Sequence, residues 1–236
     1  MQADGVETLG EVLERFNRKE RNLLIRDILG DEAKPPRLSG QFRERLTKKL
    51  GLLSEIPEDA WWATDYHIDW LAGALLTYMN GDPAHPEQIL DLVMDNKFDF
   101  VKGKKSDLVM GNQEDIDLVV AAGDDLILVE VKAYGYFGTE QVTRKLKRLA
   151  LLYKFYKDLE KDSDCNVQFH LLLYSNKPTT LTEEPWPWPC NHPDRWMKLE
   201  LPGPDLAVTR WDKSEGRTAE GKSWRCFKID PVGGDS

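Results

Sequence analysis

In the stretch "EDIDLVVAAGDDLILVEVKAYG", residues 114–135, Asp117, Glu130 and Lys132 interrupt two strongly apolar runs that flank Gly123-Asp124. Alternating and near-continuous apolar residues of this kind predict two strands, and the glycine predicts the turn between them. A two-residue loop at Gly123-Asp124 sets Ala122 beside Asp125, and counting outwards then sets Asp117 opposite Glu130. Any loop of even length keeps these side chains on one face, whereas a one-residue bulge would separate them. One face of the ribbon carries Ile116, Leu118, Val120, Ile127, Val129 and Val131. The other carries Val119, Ala121, Leu126 and Leu128, with Asp117, Glu130 and Lys132 at its open end. Opposed Cβ atoms in such a ribbon lie about 4.5 to 5.5 Å apart. Two carboxylates at that distance repel unless a cation sits between them. Oxygen ligands so placed suit magnesium, which takes one or two carboxylates together with water and substrate phosphate. The lysine could then orient or help deprotonate a water, or offset charge growing on phosphate. The alternative is a set of ordinary charges where a strand leaves the core, with Lys132 neutralising one acid.

The elements around this ribbon are read from caps and periodicity. Asn17 with Glu20 has capping-box spacing and predicts a helix through "RNLLIRDIL" to Gly30; Ser39 caps a second helix, "GQFRERLTKKL", stopped by Gly51. A third helix, apolar nearly all round, is expected from Thr64 to Gly81, with Asp65 as its cap or first-turn acid. Residues 80–106 read as a connection with one short helix around 87–95. After the two strands come a helix from about Thr139 to Lys161 and the apolar strand "NVQFHLLLYS". The expected order is helix, strand, strand, helix, strand. "DLAVTRW" and "SWRCFKI" are expected to pair across the polar segment between them.

With 236 residues the chain is expected to form one decorated domain: a helical N-terminal extension over 1–60, a core over 61–176, and a Pro/Trp-rich loop with C-terminal strands over 177–236. The formal charge of -9 counts against a protein that simply coats nucleic acid, so any such contact needs a local basic surface. "RKLKR", "VKGKK" and "NRKERNLLIR" are the candidates, each equally readable as a solvated face. No apolar run approaches the ~20 residues of a membrane span, and the N-terminus lacks a secretory pattern, so a cytoplasmic protein is expected. Three widely spaced cysteines read as reduced thiols; Cys190 with His192 is too sparse for zinc, and no glycine-rich phosphate loop occurs.

Asp117 followed by Glu130-Val131-Lys132 on the next strand, then a helix and a further strand, resembles the PD-(D/E)XK nuclease superfamily. Glu32-Ala33-Lys34, Asp95-Asn96-Lys97 and Glu220-Gly221-Lys222 match the short string, but none ends a β-branched apolar run behind a partner acid. Ile116 stands where the proline of the motif's name would be. The core of the resemblance covers residues 64–175, and "FNRKERNLL", "DYHIDWL" and "EDIDLVV" also resemble a group of bacterial proteins of undetermined activity related to that superfamily. The resemblance implies an α/β fold: a restriction-endonuclease-like mixed sheet flanked by helices, with an N-terminal helical extension and a C-terminal hairpin. It implies a magnesium site, with manganese as a substitute, made by Asp117, Glu130 and the carbonyl of Val131. Lys132 would act on the attacking water in phosphodiester hydrolysis of nucleic acid, DNA being favoured, and a homodimer is open. The alternative is a protein of this fold that binds nucleic acid or protein without cutting.

Many relatives add a polar residue from the next helix, and here Gln141, Lys145 and Arg148 lie on one stripe. Gln141 is expected at the cation's water or the scissile phosphate, Lys145 and Arg148 at neighbouring phosphates. The bland reading of all three is a solvated helix flank. Relatives also bring an acid from the first core helix. Asp69, between Ile68 and Trp70, is the candidate metal ligand, or else a hydrogen-bond acceptor for a neighbouring segment. His67 is expected in the core or beside the site, Glu114 and Asp115 at a solvated strand entrance. Trp186 and Trp188 either stack on unpaired bases or cover a sheet edge.

Overall fold

In the computed structural model, residues 7–29, 37–80, 95–101, 104–111, 114–132, 139–160, 166–176, 196–200, 206–214 and 216–228 are described. They form two compact units, Met1–Lys198 and Leu199–Ser236. The division falls at Leu199 rather than at residue 177, because a strand beyond the Trp-rich segment joins the main sheet.

The larger unit is built on a five-stranded mixed sheet. Its strands are β1 (Trp61–His67), β4 (Asp115–Ala122), β5 (Asp125–Lys132), β6 (Gln168–Ser175) and β7 (Trp196–Lys198), in the spatial order β1-β4-β5-β6-β7. The first three run antiparallel to their neighbours, while β5, β6 and β7 are parallel. A parallel pair needs a long crossover, which α5 (Thr139–Glu160) supplies between β5 and β6. Gly123 holds φ +61° at the first position of the β4–β5 turn, the conformation a tight hairpin asks of a glycine. The register is the expected one, Leu118↔Val129 inwards to Ala122↔Asp125.

One sheet face, with Val119, Ala121, Leu126, Leu128, Phe169 and Leu171, packs into a core with α1 (Leu9–Phe16), α4 (Ile68–Asn80) and α5. Toward the opposite face, the Phe42 ring of α3 (Gly40–Leu50) tilts onto Tyr174 at 6.0 Å. The eight residues of α1 are too few for a helix that persists alone. Thr8 and Glu11 close a capping box, and Leu9, Val12 and Leu13 are fully covered, each such burial being worth about 1.5 to 3 kcal/mol.

Five expectations need correction. Asn17 ends α1 instead of capping the next helix: its Oδ1 accepts from Lys19 N–H, and α2 (Glu20–Leu29) begins at Glu20. The third helix starts four residues late, because the aromatic and β-branched "WWATDYH" pairs along β4 as β1. Within it Asp65 has φ +51° and is bonded to Arg21 at 2.9 Å, so it caps nothing. That left-handed residue shifts the strand's alternation, so that Ala63 and Tyr66, three apart, both reach the core; opposite them Ile116 joins Val119 there, leaving the face expected for it. The lysine-rich connection contains a hairpin, β2 (Lys97–Val101) with β3 (Lys104–Asp107). The helix expected around 87–95 falls almost wholly outside the described residues. Ser39 and Gly51 bound α3 as expected.

The smaller unit is a three-stranded sheet in the order β10-β8-β9, from β8 (Leu206–Asp212), β9 (Gly216–Arg217) and β10 (Ser223–Lys228). β8 and β10 are the expected antiparallel pair, and Arg225 lies 4.8 Å from the Trp211 ring centre. Cys226 on β10 is an exposed free thiol; Cys165 and Cys190 fall outside the described residues. Among the described residues no helix is long and apolar enough to cross a membrane.

Candidate active site

Ladder pairing of β4 with β5 ends at Leu118↔Val129, and just beyond it Asp117 and Glu130 lie near enough for their charges to act on one another. There the strand's backbone pairing gives way to a side chain: Asp117 Oδ2 accepts from the Val131 N–H at 2.7 Å. This fixes one carboxylate beside the other. Glu130 ends the buried run of β5 that starts at Leu126, and is itself only 7% exposed. A carboxylate in such a place must be paired, protonated or bound to a cation. Its Oε2 accepts from Lys145 Nζ of α5 at 2.5 Å, while its Oε1 is buried with no hydrogen-bond partner. Burial pushes the Glu130 carboxyl up to about 8; Lys145 opposes that rise, and the negative charge of the neighbouring Asp117 adds to it. Lys132, two residues further along β5, is half-buried and has no ion-pair partner among the described residues.

The raised value has a consequence for stability. The folded protein keeps a proton on Glu130 that the unfolded chain releases near the ordinary glutamate value of 4.5. The stabilisation is complete below 4.5 and is lost as pH rises through about 8. Denaturation curves across that window should show the wild type losing on the order of a few kcal/mol relative to Glu130→Gln. Parallel pH profiles for the two proteins would refute the buried, proton-binding carboxyl.

The other anticipated residues divide. Lys145 reaches Glu130, and Gln141 lies in the first turn of α5 with its side chain outside the described ones. Arg148, one turn beyond Lys145, is not on a solvated flank. It is 5% exposed, its Nη1 donating to Glu114 Oε2 at 2.9 Å and its Nη2 to Asp69 Oδ1 at 2.5 Å and the Leu108 carbonyl at 3.1 Å. A guanidinium held between two acids in the interior is withdrawn from phosphate. Asp69 is likewise committed: besides Arg148 it accepts from the backbone N–H of Met110 and of Gly111, at 3.3 and 2.8 Å. This is the hydrogen bond to a neighbouring segment, not the arrangement of a free metal ligand. Among the described residues no group of three or more His, Cys, Asp or Glu is gathered for a metal. The pair Asp117 and Glu130 therefore carries the case on its own.

Glu114 and Asp115 are not a solvated entrance. Glu114 also accepts from Arg144 Nε at 3.3 Å, and Asp115 meets Lys19 Nζ at 2.5 Å and His67 Nε2 at 3.2 Å. His67 stacks on Trp70, ring centres 4.0 Å apart. Asn96 escaped the reading from sequence. Its side chain accepts from the Leu108 and Val109 N–H groups and donates to the Val109 carbonyl, fixing the turn that Asp69 holds from the other side. The direct Lys145–Glu130 pair was equally unforeseen, although basic residues bordering the apolar stripe of α5 were the visible signal. Trp186, Trp188 and His192 fall outside the described residues.

No family model, curated protein or solved structure matches this chain.

Proposed function

We propose that the chain is a metal-dependent nuclease of restriction-endonuclease-like architecture, hydrolysing phosphodiester bonds in nucleic acid, with DNA favoured, and acting in the cytoplasm. The observation that carries this reading is the buried, partnerless Oε1 of Glu130 beside the Asp117 carboxylate. A cation is what such an oxygen lacks, and two carboxylates with a carbonyl are the hard oxygen donors that magnesium or manganese prefers. The residues present therefore fit the ion: Asp117, Glu130 and the Val131 carbonyl would hold it. When bound, it would supply Lewis-acid stabilisation of phosphate charge and make water a stronger acid. The strand order supports the same reading, since the acid strand β4, the Glu-x-Lys strand β5, the helix α5 and the parallel strand β6 follow one another as in that superfamily. Asp117 keeps its carboxylate at Glu130 through the Val131 N–H. Lys132 is left to hold the attacking water or the charge growing on phosphate. Cutting both strands of a duplex would suit a homodimer.

A second reading, a catalytically silent protein of this fold that binds nucleic acid or protein, is favoured by one observation: Lys145 already gives Glu130 a positive partner. Calorimetric titration of manganese into wild type and Glu130→Gln, with labelled single- and double-stranded DNA and RNA as substrates, separates the two. Binding lost in the variant, together with cation-dependent products, is the expected result. A folded wild type that takes up no manganese and cuts none of the substrates would leave the silent reading.

A further inference from the structure

We infer that Lys145 and the divalent cation are alternative counter-charges for Glu130, and that Lys145, released by the cation, is the residue that takes a substrate phosphate. This rests on the nuclease reading above. The Lys145–Glu130 contact, 2.5 Å between Nζ and Oε2, joins two side chains that are only 13% and 9% exposed. In the absence of any other cation the ammonium is the positive group held against the Glu130 carboxyl. The charge count does not allow it to stay there. A divalent cation takes Glu130 as its carboxylate, so that Asp117 and Glu130 then bring two negative charges, which the cation balances by itself. Lys145 added to that set would be a surplus positive charge in a poorly hydrated place, close to a doubly charged ion. An incoming phosphate is an anion of the kind that surplus requires.

The side chain can make the exchange without moving its helix. A lysine stem has four rotatable carbons and a compact head. One turn further along α5, Arg148 is pinned to Asp69 and Glu114, so the backbone that carries Lys145 is anchored. The same pinning removes Arg148 as a phosphate ligand, and Arg144, 73% exposed and set against Glu114, lies toward solvent. Lys145 is thus the basic residue of this stretch already placed at Glu130.

Two measurements test the exchange. Calorimetry with manganese alone, in mildly alkaline buffer, should give Lys145→Met an affinity at least about ten-fold higher than wild type, although its cation-free form melts lower. Inorganic phosphate should bind the manganese-loaded variant about ten-fold more weakly than the loaded wild type. A residue with a structural role only would weaken manganese binding or leave it unchanged, and that result overturns the inference. Acylation of Lys145 in the unsubstituted protein, read by mass spectrometry, covers the case in which the variant does not fold. Labelling should be slow without cation and several-fold faster with magnesium, and a rate indifferent to magnesium overturns the exchange. A wild type that binds no manganese brings down the nuclease reading and this inference with it. A wild type that binds manganese and cuts, but whose Lys145 behaves as a structural residue, brings down this inference alone.

Discussion

Arg148→Ala should lower the stability of the protein by about 3 to 5 kcal/mol, the usual cost of removing one member of a buried ion network. The substitution leaves Asp69 and Glu114 with two nearly covered carboxylates and no guanidinium between them, and it strips the Leu108 carbonyl of a donor. Asp69 keeps its two backbone N–H donors, which moderates the loss on that side. Among the described residues Glu114 keeps only the exposed Arg144. Urea denaturation followed by circular dichroism gives the number directly. Arg144→Ala is the control: it touches the same acid from solvent and should cost no more than about 1 kcal/mol. Equal losses in the two variants would mean that burial of the network contributes nothing. Replacing Glu114 and Arg148 by apolar residues of similar size, with Asp69 changed to Asn to keep an acceptor for the Met110 and Gly111 N–H groups, should recover part of the stability lost in the single variant.

The second large effect is expected at Lys132. If it serves the attacking water or the phosphate, Lys132→Met should lower kcat/KM for cleavage by roughly 10² to 10⁴. Manganese affinity should stay within about three-fold of wild type, because Lys132 is paired with neither acid. The contrast with Lys145 makes this informative. One lysine is expected to govern the chemical step at constant cation affinity, the other to compete with the cation. A Lys132→Met protein that cuts as fast as its parent would remove Lys132 from the mechanism and leave the two acids without their third partner.

The parts of this arrangement that could be read from sequence are those set by local rules. Gly123 dictates where the β4–β5 ribbon turns, and alternation then fixes which residues oppose one another, so Asp117 and Glu130 could be placed at the same level without coordinates. Ser39 and Gly51 bound α3 through short-range bonds of the same kind. What escaped depends on partners distant in the chain. "WWATDYH" is as apolar as the helix that follows it, and only the free edge of β4, about fifty residues later, draws it into the sheet. Asp65 takes a left-handed conformation because β1 must turn Tyr66 toward α1, where its hydroxyl donates to the Leu13 carbonyl at 2.8 Å. Asp69, Glu114 and Arg148 come from three separate stretches of the chain, so no spacing rule relates them. Periodicity located Arg148 on the border of an apolar stripe; whether that border faced water or another helix was a tertiary matter.

The trio around Arg148 also constrains how this sequence can change over time. Any one-step departure from it strands either a buried cation or a buried acid, each at a cost comparable to a large share of a domain's total stability. Drift at positions 69, 114 and 148 is therefore channelled through rare compensated changes, while the exposed Arg144 beside them is free to vary. Inheritance would preserve this internal joint of the scaffold for the sake of the fold alone, whatever the neighbouring acids do.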